Sequence, residues 1–266
     1  MNVNQLLALH DQHQRIEVEH RNMRREATPD VVRHVALKHG YGMVLYSRLS
    51  EANVDRVIAE QIAYFDQLGQ DFEWKTYDHD TPGDLKDRLS AHGFEAEEPE
   101  ALLVLDIEAA PAILLQPVLH DVRRIIDPDR LEEYRRIQES VWDEPHNWQI
   151  TALRDDLIND PDHVSVYIAY AAGVPVSAAR IDFHDHNPFA GLWGGSTLPE
   201  YRGRGFYTAL LATRLQEARQ RGVRFLVIDA SPMSRPIVEK NGFQFLTFTQ
   251  PFTWQVKQQA GATKPK

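Results

Sequence analysis

The chain has 266 residues, 42% hydrophobic and 26% charged, enough for two ordinary domains that each build a core. A net charge of −10 argues against a general nucleic-acid binder and against an anionic membrane surface, and fits a small cationic or amine ligand. With no cysteine there is no disulfide, thiolate zinc site or cysteine acyl-enzyme; with no charged-then-apolar leader in residues 1–14 and no apolar run near the roughly 20 residues that span a bilayer, the expected location is the cytoplasm.

A helix is predicted from Leu6 to about Val18. His10, His13 and His20 lie along it, and without a carboxylate pattern to complete a metal site they read as a solvated face. Val31–Leu37 and Tyr41–Leu49 read as strands about the turn Lys38-His39-Gly40. Glu51–Leu68 reads as a helix with Val54, Val57, Ile58, Ile62 and Phe65 on one side. A strand Phe72–Tyr77, a charged loop Asp78-His79-Asp80, a short helix Pro82–Ala91, Gly93-Phe94 and a strand Leu102–Ile107 come next. Ala109–Pro117 carries two prolines and reads as the linker.

In the second half His120–Ile126 reads as a strand and Pro128–Val141 as a helix with Leu131, Tyr134, Ile137 and Val141 periodic. Trp142-Asp143-Glu144-Pro145-His146-Asn147-Trp148 holds two tryptophans and two acids, which either cradle an aromatic or cationic amine or leave the tryptophans to core packing. A short helix Thr151–Asn159 precedes a hairpin, Val164–Ala171 and Pro175–Phe183, turning at Ala172-Gly173. His184-Asp185-His186 lacks a third ligand, so no metal site is predicted. A β-like segment Leu192–Leu198 ends at Pro199, which cannot continue a ladder.

Then comes Pro199-Glu200-Tyr201-Arg202-Gly203-Arg204-Gly205-Phe206-Tyr207. A helix from about Phe206 to Arg221 buries Phe206, Leu210, Leu211, Leu215 and Ala218 and stops at Gly222; Val223–Ile228 is a strand, and Asn241-Gly242-Phe243 closes the stretch. A strand, a glycine turn flanked by arginines and a helix N-terminus make a site for a pyrophosphate, because free N–H groups and the dipole hold anions and glycine permits close approach. The spacing is neither a Walker loop nor the dinucleotide fingerprint.

This stretch resembles the GNAT acetyltransferase superfamily, whose acyl-CoA motif reads Arg/Gln-x-x-Gly-x-Gly/Ala. Arg202 and Gly205 match; Tyr207 stands where glycine or alanine belongs; Gly242-Phe243 is the second marker, and the resemblance covers about residues 120–256. It implies an α/β (α+β) chain of two GNAT-like modules, each a mixed, mostly antiparallel twisted sheet flanked by helices. The expected divisions are a degenerate first module over 1–116, the acetyltransferase domain over 117–258 and a frayed tail over 259–266. The first module parallels the second as a duplication, Tyr41–Leu49 and Glu51–Leu68 matching Leu192–Leu198 and Phe206–Arg221, but Ser50-Glu51-Ala52-Asn53 replaces the glycine turn, so only the second is expected to bind CoA.

By the same resemblance acetyl-CoA is the co-substrate, without a metal, and an acetyl group passes directly to the amine of a small molecule or peptide. Gly195, Ser196 and Thr197 pair with the pantetheine and offer the oxyanion donor; backbone N–H groups from Arg202, Gly203, Arg204, Gly205, Phe206 and Tyr207 take the pyrophosphate. The tyrosine that many members use to protonate the thiolate is here Val238, and the usual asparagine is Ser231; Ser231 or Ser234 either hydrogen-bonds the pantetheine or sulfur or caps a helix. Candidate bases are Asp182, His184, His186, Glu144 and His146. The alternatives are a non-catalytic acyl-CoA sensor and an interaction scaffold; nucleic acid and membrane are not expected partners, and a monomer or homodimer both fit.

Overall fold

The computed structural model describes residues 1–37, 41–143 and 147–256; the tail, the turn at 38–40 and the segment 144–146 lie outside the described residues, as do the side chains at 147 and 148. The chain forms two compact units: a first of Leu7–Ala101 with the stretch from Thr247, and a second of Leu102–Leu246 with Met1–Leu6. The chain therefore changes unit near residues 101 and 246, where the sequence places one divide at 116.

In the first unit the end of α1 (Val3–His10) runs into a wide turn, Asp11–Ile16, where the expected helix loosens. Next come β1 (Met23–Ala27), β2 (Val31–Ala36), β3 (Gly42–Ser47), α2 (Val54–Leu68), β4 (Phe72–Tyr77), α3 (Leu85–Ala91) and β5 (Glu95–Ala96). The sheet runs β1-β2-β3-β4, antiparallel except where β3 lies parallel to β4, as the crossover helix α2 requires. Its last strand is the end of β12 (Gln244–Trp254), whose residues Thr249–Trp254 pair antiparallel with Tyr77–Phe72 and which also pairs with β5. The core joins the α2 stripe (Val54, Val57, Ile58, Phe65) to Val44, Trp74, Phe94 and Phe252.

Two polar segments of this unit differ from their expected solvated state. His10 is 3% exposed, its ring 5.8 Å from that of Tyr77. The Asp78-His79-Asp80 loop is built around the buried Arg15: Nη2 donates to both Asp80 oxygens at 2.7 and 2.8 Å, Nη1 to Asp11 at 3.0 Å and Nε to the Leu45 carbonyl at 2.9 Å, while the guanidinium stacks on Tyr77. Pairing of its N–H groups offsets the cost of burying a cation so deep.

The second unit contains the end of β6 (Glu100–Asp106), α4 (Ala112–Leu115), β7 (Asp121–Ile125), α5 (Leu131–Trp142), α6 (Asn147–Asn159), β8 (Val164–Ala171), β9 (Val174–Phe183), β10 (Phe189–Thr197), α7 (Phe206–Gln220), β11 (Phe225–Ala230) and α8 (Arg235–Lys240). Strand order is β6-β11-β10-β9-β8-β7. β7 through β10 are antiparallel, and β10 is parallel to β11 across α7. Residues of β8 alternate between faces: Val164, Val166, Ile168 and Tyr170 join the core under α5 and α6, whereas Ser165 and Tyr167 hydrogen-bond Glu217 on α7. The predicted linker carries α4, whose Leu114 carbonyl accepts from Gln216 of α7 at 2.9 Å.

Candidate active site

The site is built where β10 leaves its neighbours. Trp193 pairs with Arg180, but the next register pair is Ser196 with Ala178, so β10 carries one extra residue, a β-bulge at Gly194-Gly195. Gly194 has φ +57°, and the Tyr134 hydroxyl occupies the place a Cβ would take. The Cβ missing from Gly195 would lie 2.9 Å from the Tyr207 ring. On the other side, β10 pairs with β11 only at Phe189–Gly191 against Phe225–Val227, yet β10 runs on to Thr197 and β11 to Ala230. The two parallel strands thus part, and the free stretch of β10 can accept an extended, amide-bearing ligand as an added strand.

A polar chain pins the bulge to α5. Gln138 Nε2 donates to the Gly194 carbonyl at 2.6 Å, Ser196 Oγ donates to Gln138 Oε1 at 2.9 Å, and Trp142 Nε1 donates to Ser196 Oγ at 3.0 Å. The Ser196 side chain is buried and spent in this chain, so only its backbone can face a ligand. Ser177 Oγ is 2.7 Å from both the Ser196 carbonyl and Thr197 Oγ1. Trp142 keeps 45% exposure, its ring left on the surface beside the bulge.

The arginine–glycine turn comes next along the chain. Gly203 and Gly205 take φ of +70° and +83°, conformations that side-chain-bearing residues rarely adopt. Gly205 caps α7 without a side chain, so the amides of Phe206, Tyr207 and Thr208 stay unclaimed by the helix, and no acid stands in its first turn. The four residues Arg202–Gly205 are exposed; Arg202 Nε donates to the Thr197 carbonyl at 3.1 Å, and the Arg204 guanidinium lies 5.1 Å from the Tyr201 ring. His120, in sequence only the start of a predicted strand, belongs to this turn. Its Nε2 is 3.1 Å from the Arg204 carbonyl and its ring 4.9 Å from that of Phe206.

The proposed acid and base positions are less concentrated. Ser231 and Ser234 lie between β11 and α8, their hydroxyls 3.3 Å apart, and the Ser231 carbonyl accepts from the Arg235 amide; Ser234 is the residue at the helix cap, without a side-chain cap bond. Val238 is fully buried and apolar. At the far end of β9, Arg180 Nε lies 3.3 Å from Asp182, and the His184 ring is 5.2 Å from that of His163, edge to face. His186 is exposed in the loop with φ +56°. Burial pushes the Asp156 carboxyl of α6 up, with His163 and Arg180 opposing and Asp182 adding to it, so these groups share one field. Glu144 and His146 lie outside the described residues.

Residues 128–243 match the model of the acetyltransferase (GNAT) family. This stretch is a GNAT acetyltransferase domain. A curated relative, the aminoglycoside N(6')-acetyltransferase type 1 of Salmonella enteritidis, is 28% identical over 135 residues, which are 47% of this chain and 91% of the relative. Among solved structures, a GCN5-related N-acetyltransferase from Kribbella flavida superposes with a TM-score of 0.66 at 14% identity, covering 93% of this chain and 94% of its own. A tandem GNAT protein from the clavulanic acid biosynthesis pathway gives 0.56 at 13% identity, covering 97% and 95%. At these identities the structural likeness concerns the fold, which is that of GNAT acyltransferases: mixed sheets flanked by helices.

Proposed function

We propose that the chain is an acetyl-CoA-dependent N-acetyltransferase whose second unit holds the active site and whose first unit is a degenerate GNAT-like module without CoA. The observation that carries this is the juxtaposition, on one strand–helix pair, of the parted β10 edge and the uncapped, acid-free N-terminus of α7. The edge from Gly195 to Thr197 would pair with the pantetheine. The amides of Phe206, Tyr207 and Thr208, with Arg202 and Arg204 beside them, would hold the pyrophosphate. Acetyl-CoA supplies the activated acyl group, and a backbone N–H of the bulge region would face the oxyanion.

The acceptor would be a small molecule with several amines. The aminoglycoside-acetylating relative supports this. Asp182 and His184 would compete for the role of base, together with Glu144. The binding-only alternative rests on Val238 alone.

Isothermal titration with acetyl-CoA, with CoA, ATP and NAD as comparisons, tests this reading, followed by CoA release with kanamycin, spermidine and free amino acids. One acetyl-CoA per chain, neither nucleotide bound, and turnover with an amine are expected. Two sites per chain would refute the degenerate first unit, and no binding at millimolar ligand would end the cofactor assignment.

A further inference from the structure

Tyr207 is the residue that the acyl-CoA motif does not predict, and its surroundings give it a use. It is the second residue of α7, and its ring lies against the bulge: the ring Cε2 stands 2.9 Å, and the hydroxyl 3.5 Å, from the point where Gly195 would carry a Cβ. The bulky residue at 207 and the bare residue at 195 are therefore a matched pair. The hydroxyl thereby stands beside the strand segment assigned to the pantetheine.

Two turns further along α7 is Arg214, 1% exposed. Its Nε donates to the Leu210 carbonyl at 3.1 Å and its Nη1 to the Arg180 carbonyl at 3.0 Å, while Nη2 has no hydrogen-bond partner among the described residues. Burial pushes its pKa down, and Tyr207, Tyr134 and Tyr167 oppose that shift. A buried guanidinium faced by phenols rather than carboxylates is poorly compensated at rest and stabilised when negative charge appears beside it. Burial pushes the Tyr207 hydroxyl up, and Arg214 pulls it back only in part, so it holds its proton at neutral pH. The position from which the family tyrosine would act is closed to this role, because Val238 is apolar and buried.

Resting on the acetyl-CoA reading above, we infer that Tyr207 is the proton donor to the CoA sulfur and that Arg214 is a positioning residue whose charge stabilises the resulting phenolate. As the acetyl carbon bonds to the acceptor nitrogen and its bond to sulfur breaks, the sulfur electron pair takes the Tyr207 proton. The Tyr207 oxygen then recovers a proton from those that the acceptor nitrogen sheds.

The test uses CoA itself and no acceptor. The thiol of protein-bound CoA is titrated through the ultraviolet absorbance of its thiolate, in the full chain and in Tyr207→Phe and Arg214→Met, with CoA affinity measured on the same samples. A donor at Tyr207 stabilises the thiolate, so Tyr207→Phe is expected to raise the bound thiol's pKa by about one unit, a tenfold change in proton affinity, while altering the CoA Kd less than about threefold. Arg214→Met should move it the same way. An unchanged thiol pKa in Tyr207→Phe overturns the inference and leaves the cofactor assignment standing. A Tyr207→Gly chain that binds CoA more than about tenfold tighter than the parent also overturns it, because the ring would then be an obstruction. A parent chain that does not bind CoA ends both.

Discussion

The two units contain the same strand–helix–strand element, with different partners at the bulge and at the start of the helix. In both, the central strand carries one extra residue. Val32 pairs with Tyr46 and Arg33 with Val44, as Trp193 pairs with Arg180 and Ser196 with Ala178. In both, the parallel ladder beyond it is short, Gly42–Val44 with Phe72–Trp74 and Phe189–Gly191 with Phe225–Val227. In both, a side chain outside the sheet holds a bulge carbonyl: Arg15 on Leu45 and Gln138 on Gly194. The two side chains differ in where their remaining bonds go. Arg15 reaches on to Asp80, just past the end of β4, in an ion pair. Gln138 instead accepts from Ser196, whose hydroxyl in turn accepts from Trp142. The helices complete the contrast. α2 begins behind Ser50-Glu51-Ala52-Asn53, where the Asn53 side chain takes the Ser50 amide at 2.7 Å and Asp55 sits in the first turn; α7 begins behind exposed glycines.

The largest effect should come from breaking the Arg15–Asp80 pair. Asp80→Ala leaves Arg15 as a buried, half-paired cation and should cost about 3–5 kcal/mol of stability in denaturant titration. CoA affinity measured below the transition should be unchanged, since the proposed site lies in the other unit. A CoA affinity that falls with it would mean that the first unit takes part in binding.

Next is the α7 turn. Gly205→Glu places at the α7 turn the kind of charge that Glu51 brings to the α2 turn, and should weaken CoA binding at least about 100-fold, roughly 3 kcal/mol. Because Gly205 has φ +83°, any side chain there is strained by about 1 kcal/mol, so Gly205→Ala is the control that separates strain from repulsion. Equal losses in the two variants would show that conformation, not charge, governs the site.

A smaller contrast is expected with pH. Burial pushes the His34 ring down, its Nε2 held 3.0 Å from the Val18 carbonyl. The unfolded chain then binds a proton near the ordinary histidine value while the folded one does not, so stability present at pH 7 is lost progressively as pH falls below about 6.5. The first unit should loosen in mild acid, read by hydrogen exchange of β2, and His34→Gln should remove that part of the pH dependence.

How much of this was visible in the residues depends on the range of the interactions. β4 and the hairpin of β8 and β9 are legible because turn chemistry and alternation are local; Ala172 and Gly173 both take positive φ, as the predicted tight turn needs. β1 is not legible, because Met23-Arg24-Arg25-Glu26-Ala27 has no apolar alternation and is a strand only through its pairing with β2. The Arg202–Tyr207 turn is legible from its glycines and arginines. The bulge is half legible: two adjacent glycines mark it, but the partners that require them, Tyr134 and Tyr207, are 60 and 12 residues from Gly194 and Gly195 in sequence. Asp80 reads as part of a charged loop because nothing local reveals that it meets Arg15.

His120 is the site residue that no motif announces, and it offers the finest test of the contrast. Its side chain arrives on the turn from the start of β7 and rests on the Arg204 carbonyl, and a Cβ on Gly205 would lie 3.2 Å from its ring. It thus holds a carbonyl of the turn just before the α7 N-terminus. A half-exposed hydrogen bond of this kind is worth roughly 0.5–1 kcal/mol, so His120→Ala should weaken CoA binding about two- to fivefold with little change in stability. His120→Asn can keep one donor near the carbonyl and should recover part of the loss. If His120→Ala weakens acetyl-CoA and dephospho-CoA equally, its role is to hold the pyrophosphate turn; if the loss appears only with the 3'-phosphorylated ligand, the imidazole reaches that phosphate directly and the turn stands without it.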